Sequence, residues 1–365
     1  MGELFNERGE DGELEMSLQE VPSGHWKSSL IIQVQPTNIQ GKPFFYFPLR
    51  KKKNLLSEDT RERSRQTAIS KKKKEGEMEQ GSAFDLYLLP EDCISNILSL
   101  TTPRDVCRSS TVSPVFRSAA NSDSVWEKFL PSDIHQILSS SSVSPSLPTF
   151  SSKKQLFLHL CDNPLLIDGG TKTFALEKCS GKKCYMIGAR ELTIIWGSSP
   201  EYWKWIPHPE SRFSEVAELL CVWWLEIRGK IETRLLSPNT TYGAYLVLKF
   251  TNRAYGFEPL AEVSVKLASG TGGAEEGEVK SVSLNPRSLR SRNASSSEEA
   301  VADPPPEGPK ERGDGWMEIE MGEFFNERGE DGEVVMSLME VNCSICKSGL
   351  IIQGIELRPK ENQPV

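Results

Sequence analysis

Residues 88–130 read LLPEDCISNILSLTTPRDVCRSSTVSPVFRSAANSDSVWEKFL, and no other stretch constrains the chain as much. Its grammar is helical. Pro90 stands where a first-turn proline belongs, and Glu91 and Asp92 follow at the positive end of the helix dipole. Leu89, Ile94, Ile97, Leu98 and Leu100 then recur at helical spacing. Thr102-Pro103-Arg104-Asp105 repeats the start with a capping hydroxyl, a proline and an acid, and Val106, Val112, Val115 and Phe116 supply a second apolar stripe. Ser122 or Asp123 caps a third helix carrying Val125, Trp126, Phe129 and Leu130. Three short helices in about forty residues bury too little to stand alone, and Cys93 and Cys107 are not spaced as a staple. Such a module needs a partner.

The string itself resembles the F-box: Leu89-Pro90-x-Asp92, then Ile97-Leu98, then Pro103-x-Asp105-Val106, and the late Trp126, with Phe116 where the family often has Trp. The resemblance implies that the module docks on a Skp-type adaptor of a cullin ubiquitin ligase. It implies Leu89, Pro90, Ile94, Ile97, Leu98, Pro103, Val106, Val112, Phe116 and Trp126 as the adaptor-binding residues.

A chain of 365 residues has room for two domains. A net charge of −8 gives no global nucleic-acid signal, no run approaches a membrane span, and the acidic N-terminus has no secretory hydrophobic region. Eight cysteines without a regular framework fit reduced thiols in cytosol or nucleus. Cys343-x-x-Cys346 looks like half a zinc or redox site, but no second such pair exists and the four histidines, His25, His135, His159 and His208, do not cluster. The reading is therefore no metal and no cofactor.

Residues 1–33 recur at 321–353. GELFNERGEDGELEMSLQEV at the front mirrors GEFFNERGEDGEVVMSLMEV at the rear, while Ser23, Gly24, His25 and Trp26 at the front stand against Cys343, Ser344, Ile345 and Cys346. The rear copy has a strand-like lead-in at Trp316–Glu320 and reads as a complete strand-turn-strand-strand unit; the front copy reads as a truncated duplicate, through fusion or an inaccurate gene model, with a functional extra hairpin as the alternative. Gly41–Leu49 fits neither a linker nor a patterned strand. Two copies at opposite ends do not make a solenoid. Basic runs at Arg50–Lys53 and Lys71–Lys74 read as a solvated spacer.

From Thr171 onward the texture is of strands: 173–176, 184–187, 192–197, 202–206, 222–231, 241–250, 261–267 and those of the rear copy. Turn residues between them argue for an antiparallel sandwich. Six of the eight tryptophans lie here. Core packing is the ordinary use of an indole, but Trp223 and Trp224 are adjacent and would face opposite sides of a strand, leaving one to meet solvent or another layer. An exposed indole is an apolar plate with an N–H donor, matched to the C–H face of a sugar.

Ile194-Ile195-Trp196-Gly197, Tyr202-Trp203, Phe213-x-Glu215-Val216-Ala217-Glu218-Leu219, Trp224-Leu225-Glu226-Ile227-x-Gly229-Lys230, Leu236-Ser237-Pro238-x-Thr240-x-Tyr242 and Arg312–Glu318 resemble the phloem-protein-2 lectin domain of plants. With the F-box in front, the whole resembles the F-box phloem-protein-2 B class. The implied organisation is a duplicate at 1–35, a basic linker at 36–83, the F-box at 84–131, a Ser/Pro-rich linker with a short helix near Lys153–Leu160 at 132–169, and a jelly-roll-like β-sandwich at 170–358 broken by a disordered loop at 268–314. The implied job is a non-catalytic substrate receptor for glycans or glycoproteins, with a cytosolic lectin bearing a vestigial F-box as the alternative. Trp196, Trp203, Trp205, Trp223 and Trp316 are the candidate sugar contacts.

Overall fold

The computed structural model describes residues 14–21, 29–36, 45–47, 89–141, 149–269, 278–285, 307–327, 332–341 and 344–360. The basic runs and Cys343 lie outside the described residues. The chain forms two units, Met1–Val125 and Trp126–Val365.

The first unit opens with β1 (Leu14–Val21), β2 (Ser29–Pro36) and β3 (Phe45–Phe47), an antiparallel sheet in that order. Phe45–Phe47 thus differs from its sequence reading: it pairs with Leu30–Ile32. Among the described residues of the F-box-like stretch there are four helices where the sequence predicts three: α1 (Glu91–Ser99), α2 (Pro103–Ser109), α3 (Pro114–Ala119) and α4 (Asp123–Phe129), the last spanning the boundary between the units. The apolar stripe from Val106 to Phe116 is split because Pro114 cannot donate into a continuing helix. It instead starts a new one, with Ser113 Oγ accepting from Phe116 N at 3.3 Å. Thr102 caps α2 as expected, its Oγ1 accepting from Asp105 N at 3.2 Å.

The second unit continues with α5 (Ile134–Ser139) and α6 (Lys153–Asp162). Strands follow: β4 (Leu165–Ile167), β5 (Lys172–Leu176), β6 (Lys183–Gly188), β7 (Thr193–Ile194), β8 (Trp203–Ile206), β9 (Val216–Leu219), β10 (Leu225–Glu232) and β11 (Thr240–Tyr255). The last six are β12 (Leu260–Ser269), β13 (Val279–Ser283), β14 (Lys310–Glu311), β15 (Met317–Asn326), β16 (Gly332–Glu340) and β17 (Ser348–Pro359). They build an antiparallel sandwich from a five-stranded sheet, β13-β12-β16-β10-β7, and a nine-stranded one, β14-β15-β11-β17-β6-β5-β4 with β9 and β8 attached through β17. The segment read as a disordered loop therefore supplies β13 and β14, which pair with β12 and β15.

Close approach of the sheets is recorded at Gly229, where a Cβ would lie 2.8 Å from Ile355 Cδ1 on the opposite layer. Val334, Met336, Leu338 and Glu340 alternate inward along β16. β11 and β17 are buried on both faces, because Met186, Phe213, Val216, Val247, Trp316 and Ile351 form a second apolar layer on the outer side of the larger sheet.

The two copies of the repeat pair differently. β1 and β2 pair with each other along their length, whereas their rear counterparts, β16 and β17, lie in opposite sheets. Near-identical strands take different partners because, at the rear, β10, β12, β11 and β6 offer their edges; pairing is decided by the neighbours a strand finds, beyond its own propensity.

Candidate functional site: an aromatic rim

The sequence candidates separate into cores and surfaces. In the helical module, Ile94, Leu98, Pro103, Val106 and Phe116 are buried. Trp126 is buried too, in the second unit, with ring centroids 5.7 Å from Phe129 and 5.2 Å from Phe157. These six hold the fold and are corrected from docking contacts to core. Pro90 is exposed, and Leu89, Ile97 and Val112 are half-buried. Leu100 and Val115, absent from the candidate set, are exposed apolar side chains on the same short helices.

The tryptophans divide the same way. Trp203 and Trp316 are fully buried, which corrects both as sugar contacts. Trp316 donates from Nε1 to Glu210 O at 2.9 Å. Trp203 donates to Ile195 O at 3.2 Å, and half-buried Trp205 donates to Gly197 O at 2.9 Å while Arg190 stacks on its ring at 3.8 Å. Trp203 and Trp205 are hooks that hold the carbonyls of one turn, and that turn carries Trp196.

Trp196 is 45% exposed and sits at φ 57°, a left-handed conformation that costs a bulky residue roughly 1–2 kcal/mol. Its ring packs on exposed Tyr202 at 5.6 Å. Tyr202 O accepts from Leu220 N at 2.9 Å, leading into the bend that holds Trp223 and Trp224, 52% and 39% exposed. The sequence places these two indoles on opposite faces of one strand; the structure exposes both, because β10 begins only at Leu225. Ile195 N donates to Glu226 O at 3.1 Å, and Trp224 Nε1 to Glu226 Oε2 at 2.9 Å, so the two loops are tied at their base. Arg228 holds the other oxygen of Glu226 at 2.6 Å.

The third loop of this rim precedes β17. Val222 and Lys347 exchange backbone hydrogen bonds of 3.0 and 2.7 Å. Lys347, fully buried, pairs with Glu340 and donates from Nζ to Trp223 O at 2.7 Å and Ile345 O at 3.3 Å. Cys221 and Cys346 are joined by a disulfide with Cα atoms 6.1 Å apart, which overturns the reading of all eight cysteines as free thiols. Exposed Ile345 lies in the same loop and exposed Tyr255 at the end of β11 beside it, its Oη 3.9 Å from Cys346 Sγ. One end of the sandwich therefore presents aromatic plates and the exposed Arg228 over a buried Glu226. Tyr202 and Trp224 could have been found as companions of their neighbours in the motifs; the clamp of Lys347 could not, since nothing in the sequence marks that lysine as buried.

A second polar cluster occupies the outer face of the larger sheet. Glu356, nearly buried, accepts from Arg212 at 2.8 Å, Arg312 at 2.7 Å and Arg358 at 3.2 Å. Glu318 accepts from Arg312 at 2.8 Å and from Arg358 at 2.5 Å. Burial pushes the Glu356 carboxyl upward, but the hydrogen bonds and charges of Arg312 and Arg212 outweigh it and hold the group below the ordinary carboxylate range.

The phloem protein 2 family model matches residues 182–359, and an F-box-like model matches residues 86–132. The chain is 49% identical over 282 residues to the F-box protein At2g02240 of Arabidopsis thaliana, covering 77% of this chain and 82% of that one. It is 46% identical to F-box protein PP2-B10 of the same plant, covering 77% and 95%, and 46% identical to F-box protein PP2-B15, covering 75% and 96%. With an F-box in front of a phloem protein 2 domain, and 46–49% identity to these proteins over 75–77% of its length, the chain belongs to the PP2-B family of F-box proteins.

Proposed function

We propose that this protein is a non-catalytic substrate receptor of a cullin-type ubiquitin ligase in cytoplasm or nucleus. The exposed apolar side chains of its short helices meet a Skp-type adaptor, and the aromatic rim of its sandwich captures glycans or glycoproteins. The observation that carries the ligand half is Trp196: an exposed indole in a strained backbone conformation, held by hydrogen bonds from two tryptophans beneath it. A chain gains nothing in stability by holding a bulky residue there, and such strain collects where a side chain must be presented. Trp223 and Trp224 add two more plates of the kind that stack on a sugar's C–H face. Among the described residues no helix is long and apolar enough to cross a membrane.

The adaptor half is tested by two substitutions in the full chain. Leu100→Asp alters an exposed residue; it leaves the melting temperature unchanged and abolishes co-purification with a Skp-type adaptor. Leu98→Ala alters a buried one and lowers stability by about 2–4 kcal/mol. Adaptor capture that survives Leu100→Asp together with Ile97→Asp and Pro90→Ala overturns the docking role.

A further inference from the structure

Cys221 and Cys346 belong to different loops, one between β9 and β10 and the other between β16 and β17, and their side chains meet at the aromatic rim. Both residues are half-buried, so oxidants and thiols reach them. A pair of cysteines in a compartment kept reducing by soluble thiols stays reduced unless an oxidant acts. The internal repeat marks this pair as a departure, since the front copy carries Trp26 where the rear carries Cys346. What the bond would tie is the exposed indole pair: Trp223 and Trp224 follow Cys221 at once, and Lys347, which grips the Trp223 carbonyl, follows Cys346. A two-way backbone bridge between Val222 and Lys347 and the buried Lys347 ammonium also join the loops, and they hold the base of the bend when the thiols are free.

We propose that Cys221 and Cys346 form a redox modification site, joined by a peroxide-class oxidant and reopened by a thiol, and that the bond sets how rigidly the Trp223–Trp224 bend is presented. One thiolate attacks the peroxide; its O–O bond breaks, one oxygen leaves as water after protonation and the sulfur becomes a sulfenic acid. The second thiol displaces that hydroxyl as water, so two thiols and one hydrogen peroxide give one disulfide and two waters. In reverse, two equivalents of a small thiol reduce the bond and leave as their own disulfide. Cys161 and Cys184 serve as internal controls: Cys161 is pushed up to about 12 by burial and by the neighbouring Asp162, and burial pushes Cys184 up as well.

The bond itself stands on geometry; its effect on ligand capture rests on the rim reading, and the test separates the two. The full chain is reduced, treated with hydrogen peroxide, alkylated and digested without reductant, in the wild type and in Cys343→Ser. A cross-linked peptide pair containing Cys221 and Cys346, equal in both and lost on dithiothreitol treatment, is expected. Alkylated Cys221 after oxidation, or a link that disappears in Cys343→Ser, overturns the site. Amide exchange over 220–226 is expected to slow at least tenfold on oxidation, and not in Cys221→Ser; equal exchange overturns the rigidifying role whatever the ligand. On an array of chitin-type and N-glycan oligosaccharides the oxidised wild type is expected to bind at least threefold more tightly than the reduced form. Slowed exchange with no binding in either state leaves the site standing and sinks the rim as a glycan surface.

Discussion

Replacing Glu356 by Gln is expected to destabilise the β-sandwich by about 3–5 kcal/mol, the cost of removing one partner from a buried ion cluster. Its carboxylate receives three guanidiniums, from Arg212, Arg312 and Arg358, and without it three cations share only Glu318 and the more exposed Asp314. An amide keeps the shape but carries no charge and turns one acceptor into a donor. The cluster bridges β15 and β17 and the segment leading from β14, so its loss loosens the central strands of the larger sheet. The same group predicts an acid response. Its folded pKa lies below the unfolded value of about 4.3. The stability it lends is therefore complete above that unfolded value and drains away as the pH falls through the lower folded one. Urea midpoints of the β-sandwich transition from pH 7 to 3 should fall for the wild type below pH of about 4, and the Gln variant, weaker throughout, should lack that component. Equal midpoints at pH 7, within about 0.5 kcal/mol, would show the cluster to be surface decoration.

The strands of the sandwich were legible because their alternation is strong: Val334, Met336 and Leu338 point inward with polar residues between. β9 is short and was missed, and β13 was hidden in a polar, Gly- and Ser-rich stretch where its pairing with β12 comes from the neighbour more than from its own residues. Helix starts at Thr102 and Asp123 could be read from their caps; the break at Pro114 was present in the sequence as Ser113-Pro114 but lay under a continuous apolar spacing. Site residues were harder. Tryptophan frequency alone does not say which indole is core and which is plate. Trp203 and Trp196 stand seven residues apart in neighbouring motifs, and only the turn that gives Trp196 a positive φ separates their roles. The disulfide was illegible because its partners are 125 residues apart, and once the CxxC spacing around Cys346 is set aside as a metal site the sequence offers Cys346 no partner.

Those two indoles should respond in opposite ways to removal. Trp196→Gly replaces a left-handed bulky residue by one that adopts positive φ freely. The strain of roughly 1–2 kcal/mol that is relieved offsets the lost contact with Tyr202, about 0.5–1.5 kcal/mol for an aromatic pair. Since nearly half of the ring already meets solvent, little burial is forfeited. The melting temperature is expected to stay within a few degrees of wild type, while glycan capture falls at least tenfold as a stacking plate is removed. Trp203→Ala should do the reverse at first sight, costing about 3–5 kcal/mol for a buried aromatic, and then lose capture as well, because the carbonyl of Ile195 is released and the turn under Trp196 with it. Comparing the two by thermal unfolding and by the same array assigns presentation to one and support to the other. If Trp196→Gly melts as early as Trp203→Ala, the exposed ring is a structural element; if it binds like the wild type, the rim's strained plate has no part in recognition.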